Sequence, residues 1–254
     1  MSGRPADSAF TMLFSIEEHV VDLYEFLTGI RLDPRTIESV WLKDSMFRSR
    51  LYNDVSFITH DNQLLVLIEH QSTINPNMAF RILEYYVKLA SENIKARKVN
   101  IFGTKEIQIP KAKFFVVYNG KGKVTDLPIL DLGDVQVKAT VKNIHFDDLS
   151  NKSTTNAVAG YARFVALAKE MDSVYEALDT LLKEGYLKEF LSDKEMRKMF
   201  AEVYSYDNEL MYVGRQEEKI EIARTSLANG LDIEMISLIT GLDIETVKSL
   251  EQII

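Results

Sequence analysis

The chain contains no cysteine. That removes thiol nucleophiles, thiolate metal sites and disulfides from consideration together. The sequence also contains no apolar run near the ~18 residues needed to cross a bilayer. The first residues, "MSGRPADSAF", lack the pattern of a secretory leader. These observations lead to the expectation of a cytoplasmic protein without a membrane partner. Histidine is scarce, with four residues in a chain of 254. His19, His60 and His145 are scattered and receive no role. Any metal site must then rest mainly on carboxylates, which favour hard divalent ions.

What remains is ordinary globular composition with an acidic balance. Hydrophobic residues make up 46% and charged residues 27%, and the net charge is −8. Such a charge argues against a protein that coats nucleic acid. The charge is uneven, however. From Arg81 to Lys123 there are ten Lys or Arg against three acids, a local +7. Beside a carboxylate site, that cluster could hold a phosphate backbone. A solvated helix face with its loops is the competing explanation.

Apolar spacing predicts a helix over 10–29 that stops at Gly29. A mixed, extended stretch over 36–51 follows, then strands at 52–59 and 63–71 joined through a turn-like "HDN". "INPNMAF" opens a helix that runs to about 97, with Asn75 as its cap and Pro76 in the first helical position. "KFFVVY" at 113–118 reads as a strand. It is followed by the turn "NGKGK", in which Asn119 and Gly120 act as turn residues. The alternation over 135–146 predicts one further strand. Helices are expected at 156–184, 186–203 and 208–229. "GLDIE" occurs at 230–234 and again at 241–245. Each Gly can end a helix and each Asp can cap the next, which predicts two short helices in a tight hairpin. The second helix is too acidic for a typical base-reading helix, so packing on the helical half or on a second copy is expected. Together these give an α/β core over 1–150, a helical extension over 151–214 and a helix-turn-helix-like hairpin over 215–254.

The chemistry concentrates in "NDVSFITHDNQLLVLIEHQSTINPNMAFRILEYY". Side chains alternate along a strand, so Glu69 and Gln71 share one face while His70 points to the other. Asp54 and Ser56 share a face of the preceding strand. If these strands are neighbours, Asp54 and Glu69 converge, and two close carboxylates repel unless a cation or proton lies between them. Mg²⁺ suits such a pair, because it accepts one or two carboxylates, keeps waters and binds phosphate oxygens. Mn²⁺ is the alternative ion. Turn capping by Asp54 and pairing of Glu69 with Arg81 are the structural explanations for the same residues. Arg81 and Tyr85 lie one helical turn apart, and Lys88 continues their face.

An Asp, about fifteen residues, then Glu-x-(Lys or Gln) on a strand followed by a helix resembles the PD-(D/E)XK nuclease core. More narrowly, "NDVSF", "EHQSTINPNMAFRILEYY" and "VVYNG" resemble the Rpn-like recombination-promoting nucleases, often labelled putative transposases. The resemblance runs from about Asp7 through Asn143 and is strongest over 53–86. The tail is also similar to the C-terminal ends of many members. The resemblance implies a mixed sheet flanked by helices, with Asp54 and Glu69 as metal-binding acids and the His70 backbone carbonyl as a third ligand. Gln71 stands where the broader motif commonly has Lys; it can orient water but brings no charge. Arg81 would steady phosphate, and Tyr85, Lys88, Lys95, Arg97 and Lys98 are candidate DNA contacts. The implied function is a Mg²⁺-dependent DNA endonuclease in recombination or defence against foreign DNA. An RNA nuclease and a non-catalytic interaction protein, self-associating through its helical half, are the alternatives.

Overall fold

The computed structural model describes residues 8–39, 54–149 and 156–251. The chain divides into two compact units, 1–201 and 202–254.

The first unit begins with two helices, α1 (Ala9–Leu13) and α2 (Glu17–Thr28), where one was expected. The break has a local cause. The Ser15 hydroxyl donates to the Met12 carbonyl, and the helical hydrogen bonding restarts from the Ile16 carbonyl. Gly29 ends α2 in the left-handed region, with φ 75°. That conformation costs glycine little. Short β1 (Ile37–Ser39) covers the first described part of the expected extended stretch; its remainder, 40–51, lies outside the described residues. The same holds for residues 52 and 53 of the first expected strand, which is observed as β2 (Val55–Thr59). β3 (Leu64–Gln71) pairs antiparallel with β2, and Val55 faces Ile68.

Helix α3 (Met78–Ala96) starts two residues later than Pro76 would place it. The Asn75 side chain does not cap the helix. Its Oδ1 accepts from Asn77 N at 2.8 Å, and its carbonyl accepts from Met78 N at 3.1 Å. Asn75 and Pro76 therefore make a turn that delivers the chain to the helix. From α3 the chain enters β4 (Lys111–Tyr118), parallel to β3. The alternation over 135–146 yields two short strands rather than one. β5 (Leu130–Asp131) and β6 (Gln136–Val137) form a separate two-stranded arm, and β7 (Thr140–Asn143) joins the main sheet parallel to β4. A period of two cannot reveal that partners change between residues 137 and 140. The main sheet has the order β1-β2-β3-β4-β7.

α3 packs on one face of this sheet, with Tyr85 and Leu89 against Ile58, Leu65 and Leu67, and with Met78 and Ile82 against Val116. The other face meets α2, whose Tyr24 ring lies edge-on to Phe57 and Phe115. The helical half consists of α4 (Phe146–Leu149), α5 (Ala157–Glu170), α6 (Val174–Lys183), α7 (Lys188–Ser192) and α8 (Lys194–Ala228). α8 runs unbroken through the gap expected at 204–207. The last proline of the chain is Pro128. Nothing in α8 therefore removes a helical hydrogen bond.

The second unit holds the end of α8 with α9 (Ile233–Thr240) and α10 (Ile244–Glu251). The echoed pentapeptide does what its composition predicts. Gly230 and Gly241 are left-handed, and the Asp232 and Asp243 carboxylates accept from Met235 N and Thr246 N. Ile236, Val247 and Leu250 close on Ala223 of α8, while Leu238 and Ile239 stay exposed. The hairpin thus docks on the last turns of the helix that precedes it.

Gly120, just beyond β4, is fixed by close approach. A Cβ there would collide with the Ser72 carbonyl and the Tyr118 ring. Because the backbone cannot yield cheaply, Gly120→Ala is expected to cost about 1–3 kcal/mol. Wild type provides the comparison, because Gly122, with φ 74°, would be strained by any side chain despite the open space around it. Thermal melts followed by circular dichroism should show the Gly120 variant with the lower midpoint. Equal midpoints would mean that the loop is not close-packed.

Candidate metal and phosphate site

Extending the β2–β3 register by one step sets Asp54 opposite Glu69. Strand alternation puts Asp54, Ser56, Glu69 and Gln71 on one face. It is the face covered by α3, since Ile58, Leu65 and Leu67 on that face touch Tyr85 and Leu89. The two acids are locked by reciprocal backbone contacts. The Asp54 N–H donates to Glu69 Oε1 at 3.3 Å, and the His70 N–H donates to Asp54 Oδ2 at 2.7 Å. Asp54 therefore ends β2 by substituting its side chain for the next rung of the ladder. The same contact brings the His70 peptide beside Asp54.

Glu69 is 1% exposed. Burial, reinforced by the Asp54 charge, pushes its carboxyl well above the usual carboxylate range, and Arg81 only partly offsets this. Both causes act by disfavouring the charged form. Arg81 Nη2 lies 3.4 Å from Glu69 Oε2. Its Nε and Nη2 also donate to the Tyr85 hydroxyl at 3.2 and 3.0 Å. The Arg81 guanidinium thus lies against Glu69 and is steadied from behind by a phenol. Burial, with the Glu69 charge, raises the Tyr85 pKa, so that hydroxyl stays protonated.

The expectation that Tyr85 touches DNA is corrected here: it is 1% exposed, and its hydroxyl is spent on Arg81. Helical spacing correctly put Arg81 and Tyr85 on one face, but at Tyr85 that face turns inward. Lys88 is half-buried and paired with Glu84 at 2.9 Å. Lys95 and Lys98 are exposed, while Arg97 donates to the Gln108 carbonyl at 2.7 Å.

The basic stretch also divides in space. Arg81 and the loop carrying Lys121 and Lys123 lie at the end of the sheet where β3 and β4 finish. Lys95 through Lys111 lie at the opposite end, because Leu64, not Gln71, is the register partner of Lys111. Arg81 alone of that stretch has its head group on the acids.

Gln71 shares the Glu69 face, and its carbonyl accepts from Asn119 N at 3.1 Å. Its side-chain amide has no partner among the described residues. His70 points the other way, as alternation requires. Its ring stacks on Phe10 at 4.5 Å and meets Tyr161 edge-on at 5.6 Å. Burial, with Lys169 nearby, lowers its pKa to about 4, which keeps the imidazole neutral. His145, to which the sequence assigned nothing, has Nε2 2.9 Å from the Gly120 carbonyl and so braces the turn after β4. No spacing rule links positions so far apart in the chain.

Among the described residues, no group of three or more His, Asp or Glu is placed to hold a metal ion. The donor set is two carboxylates and a neighbouring peptide. That set fits Mg²⁺, which needs few protein oxygens and retains water. Charging the buried Glu69 beside Asp54 is costly, and a cation here would lower that cost. Among the described residues, no helix is long and apolar enough to cross a membrane.

Two parts of the chain match known families. Residues 216–252 match the family model described as "Rpn/YhgA-like nuclease family, C-terminal HTH domain". Residues 41–190 match the one described as "Putative transposase, YhgA-like". No curated protein and no solved structure matches the chain significantly. The second family model covers more than half of the sequence, and the chain therefore belongs to the YhgA-like family of putative transposases.

Proposed function

We propose that this protein is a divalent-metal-dependent endonuclease that hydrolyses phosphodiester bonds of DNA, in recombination or in defence against foreign DNA. The observation that carries this reading is the meeting of Asp54 and Glu69 at the end of the sheet, with the Arg81 guanidinium in front of them. When bound, Mg²⁺ or Mn²⁺ would polarise the phosphodiester and lower the pKa of a coordinated water. Asp54 and Glu69 would hold the ion, with the His70 carbonyl as a further oxygen. The Gln71 amide would orient the attacking water by hydrogen bonding. Arg81, released from Glu69 once another cation neutralises that carboxylate, would hold a phosphate oxygen and stabilise charge in the transition state.

The tail supports DNA as the substrate through the name of the family it matches, a helix-turn-helix domain. Its α10 carries Glu245 and Glu251, with Lys248 paired to Glu245 at 3.3 Å. A strongly attractive surface for phosphates is therefore assigned to the first unit.

Plasmid cleavage in Mg²⁺, Mn²⁺ or EDTA tests the proposal directly. Activity is expected with either ion, none in EDTA, and none with Asp54→Ala or Glu69→Ala. Cleavage that persists in the Asp54 variant would remove this site from the reaction.

The buried acid also sets a stability expectation. The folded-state pKa of Glu69 is raised. An unfolded Glu titrates at roughly 4.3. The folded state therefore holds more protons, and stability falls as pH rises above the unfolded value. In EDTA at pH 8, Glu69→Gln should melt higher than wild type, and the gap should narrow at pH 5. Added Mg²⁺ should raise the wild-type midpoint and leave that of the variant unmoved. A variant that melts lower at pH 8 would show that the carboxylate is already fully compensated.

Tyr85→Phe keeps the ring and removes only the acceptor for Arg81. Cleavage is expected to slow by about tenfold, against roughly 10²–10³ for Arg81→Ala. The Mg²⁺ concentration for half-maximal activity should stay constant in the Tyr85 variant. A shift in that concentration would place the hydroxyl in metal binding instead.

A further inference from the structure

The segment between α3 and β4 presents an unusual turn. Gly103 N donates to the Asn100 carbonyl at 3.1 Å, and Phe102 N donates to Asn100 Oδ1 at 3.0 Å. This closes a β-turn whose two central residues are Ile101 and Phe102. Such positions normally carry Gly, Pro, Asn, Asp or Ser. Here the tip is apolar, with Ile101 57% and Phe102 91% exposed, the latter the highest value for a large hydrophobic residue among the described residues. The base of the segment is pinned. Arg97 Nη2 donates to the Gln108 carbonyl at 2.7 Å, and the Tyr86 hydroxyl donates to the Pro110 carbonyl at 2.7 Å. A held loop that exposes an aromatic ring to water bears a cost that a partner would remove.

The charge around the tip identifies the partner's chemistry. Lys95, Lys98, Lys105 and Lys111 are all exposed, and Glu106 is the only acid between 95 and 111. The chain as a whole carries a net charge of −8. Against that background, this is a local surface that attracts anions. An apolar ring on a turn with exposed lysines before and after it in the chain matches a nucleic acid, which offers phosphates outside and stacking faces inside.

We propose that residues 95–111 form a DNA wedge: Phe102 enters or caps the base stack while Lys95, Lys98, Lys105 and Lys111 hold the flanking backbone. Apolar wedges of this kind partly unstack and kink a duplex. The wedge lies away from the acids. Leu64, the register partner of Lys111, begins β3, and Glu69 lies near its other end. At about 3.3 Å per residue the span from Leu64 to Glu69 is roughly 17 Å, or about five base pairs. The protein would therefore grip DNA at two points, cutting at one and opening the stack at least about half a turn away. This rests on DNA as the partner of the proposed site and on nothing about the cleavage step.

The test uses the full chain carrying Asp54→Asn, so that binding is read without cutting. Affinity for a duplex of about 30 base pairs and for a single strand is measured against salt, with and without Phe102→Ala or Phe102→Trp. The duplex carries 2-aminopurine at several positions to report unstacking. Phe102→Ala is expected to weaken binding about tenfold, leave the salt slope unchanged and abolish the 2-aminopurine signal. Phe102→Trp should retain both affinity and signal. Lys98→Ala with Lys105→Ala should instead flatten the salt slope. Unchanged affinity and fluorescence in Phe102→Ala would overturn the wedge. So would a Phe102→Ala effect confined to the molecular mass of the protein measured by light scattering, which would assign the tip to a second copy. If plasmid cleavage fails while these binding results hold, the wedge stands and the catalytic reading falls.

Discussion

A carboxylate at the end of a central strand, almost sealed from water and facing another carboxylate, is the constraint around which the first unit is arranged. Glu69 cannot be charged there without help. The help comes from three directions. The Asp54 amide and the Arg81 guanidinium reach its two oxygens, and Tyr85 holds Arg81 in place. Each helper is placed by a regular feature. The β2–β3 register brings Asp54, the crossover into α3 brings Arg81, and one helical turn brings Tyr85. Arg81 can act as a stand-in cation: it balances part of the negative charge yet keeps 34% of its side chain exposed, where a phosphate could reach it.

Much of this was readable in the sequence because it follows short periods. Alternation over two strands predicts that Asp54, Glu69 and Gln71 share a face and that His70 leaves it. The Gly and Asp residues of the tail predict both turns, because left-handed backbone and helix capping are properties of single residues. What was not readable depends on partners distant in sequence. Spacing puts Tyr85 on the apolar stripe of Met78, Ile82 and Leu89, but the completeness of its burial shows only when Leu65 and Leu67 are laid against it. The bracing of the Gly120 carbonyl by His145 and the split of residues 135–146 between two sheets follow from where strands dock. The exposure of Phe102 was equally hidden, since apolar residues near the end of a helix ordinarily pack.

The acidic net charge and the basic stretch are reconciled by their separation. The sequence suggested a continuous basic surface beside the acids. The parallel β3–β4 pair instead requires a crossover, and α3 supplies it with 19 residues. At about 1.5 Å per residue this helix is roughly 28 Å long, and most of it lies between Arg81 and the lysines of the loop. Attraction for a polyanion is thereby spread along the molecule, with Lys95 to Lys111 at the end of the sheet away from the acids.

The two sides of β3 differ in how far along the chain their contacts reach. In front, Glu69 meets groups 15 and 12 residues away, at Asp54 and Arg81. Behind, His70 meets Phe10, well before it in the chain, and Tyr161, 91 residues after it. Closing short loops costs less entropy than closing long ones, so the front is favoured to form early and the back late. During synthesis the acids and their arginine would emerge together, while the wall against which His70 stacks would wait for α5. The acid-bearing face of the sheet is thus local in its assembly, and the support behind it is the part contributed by the distant chain.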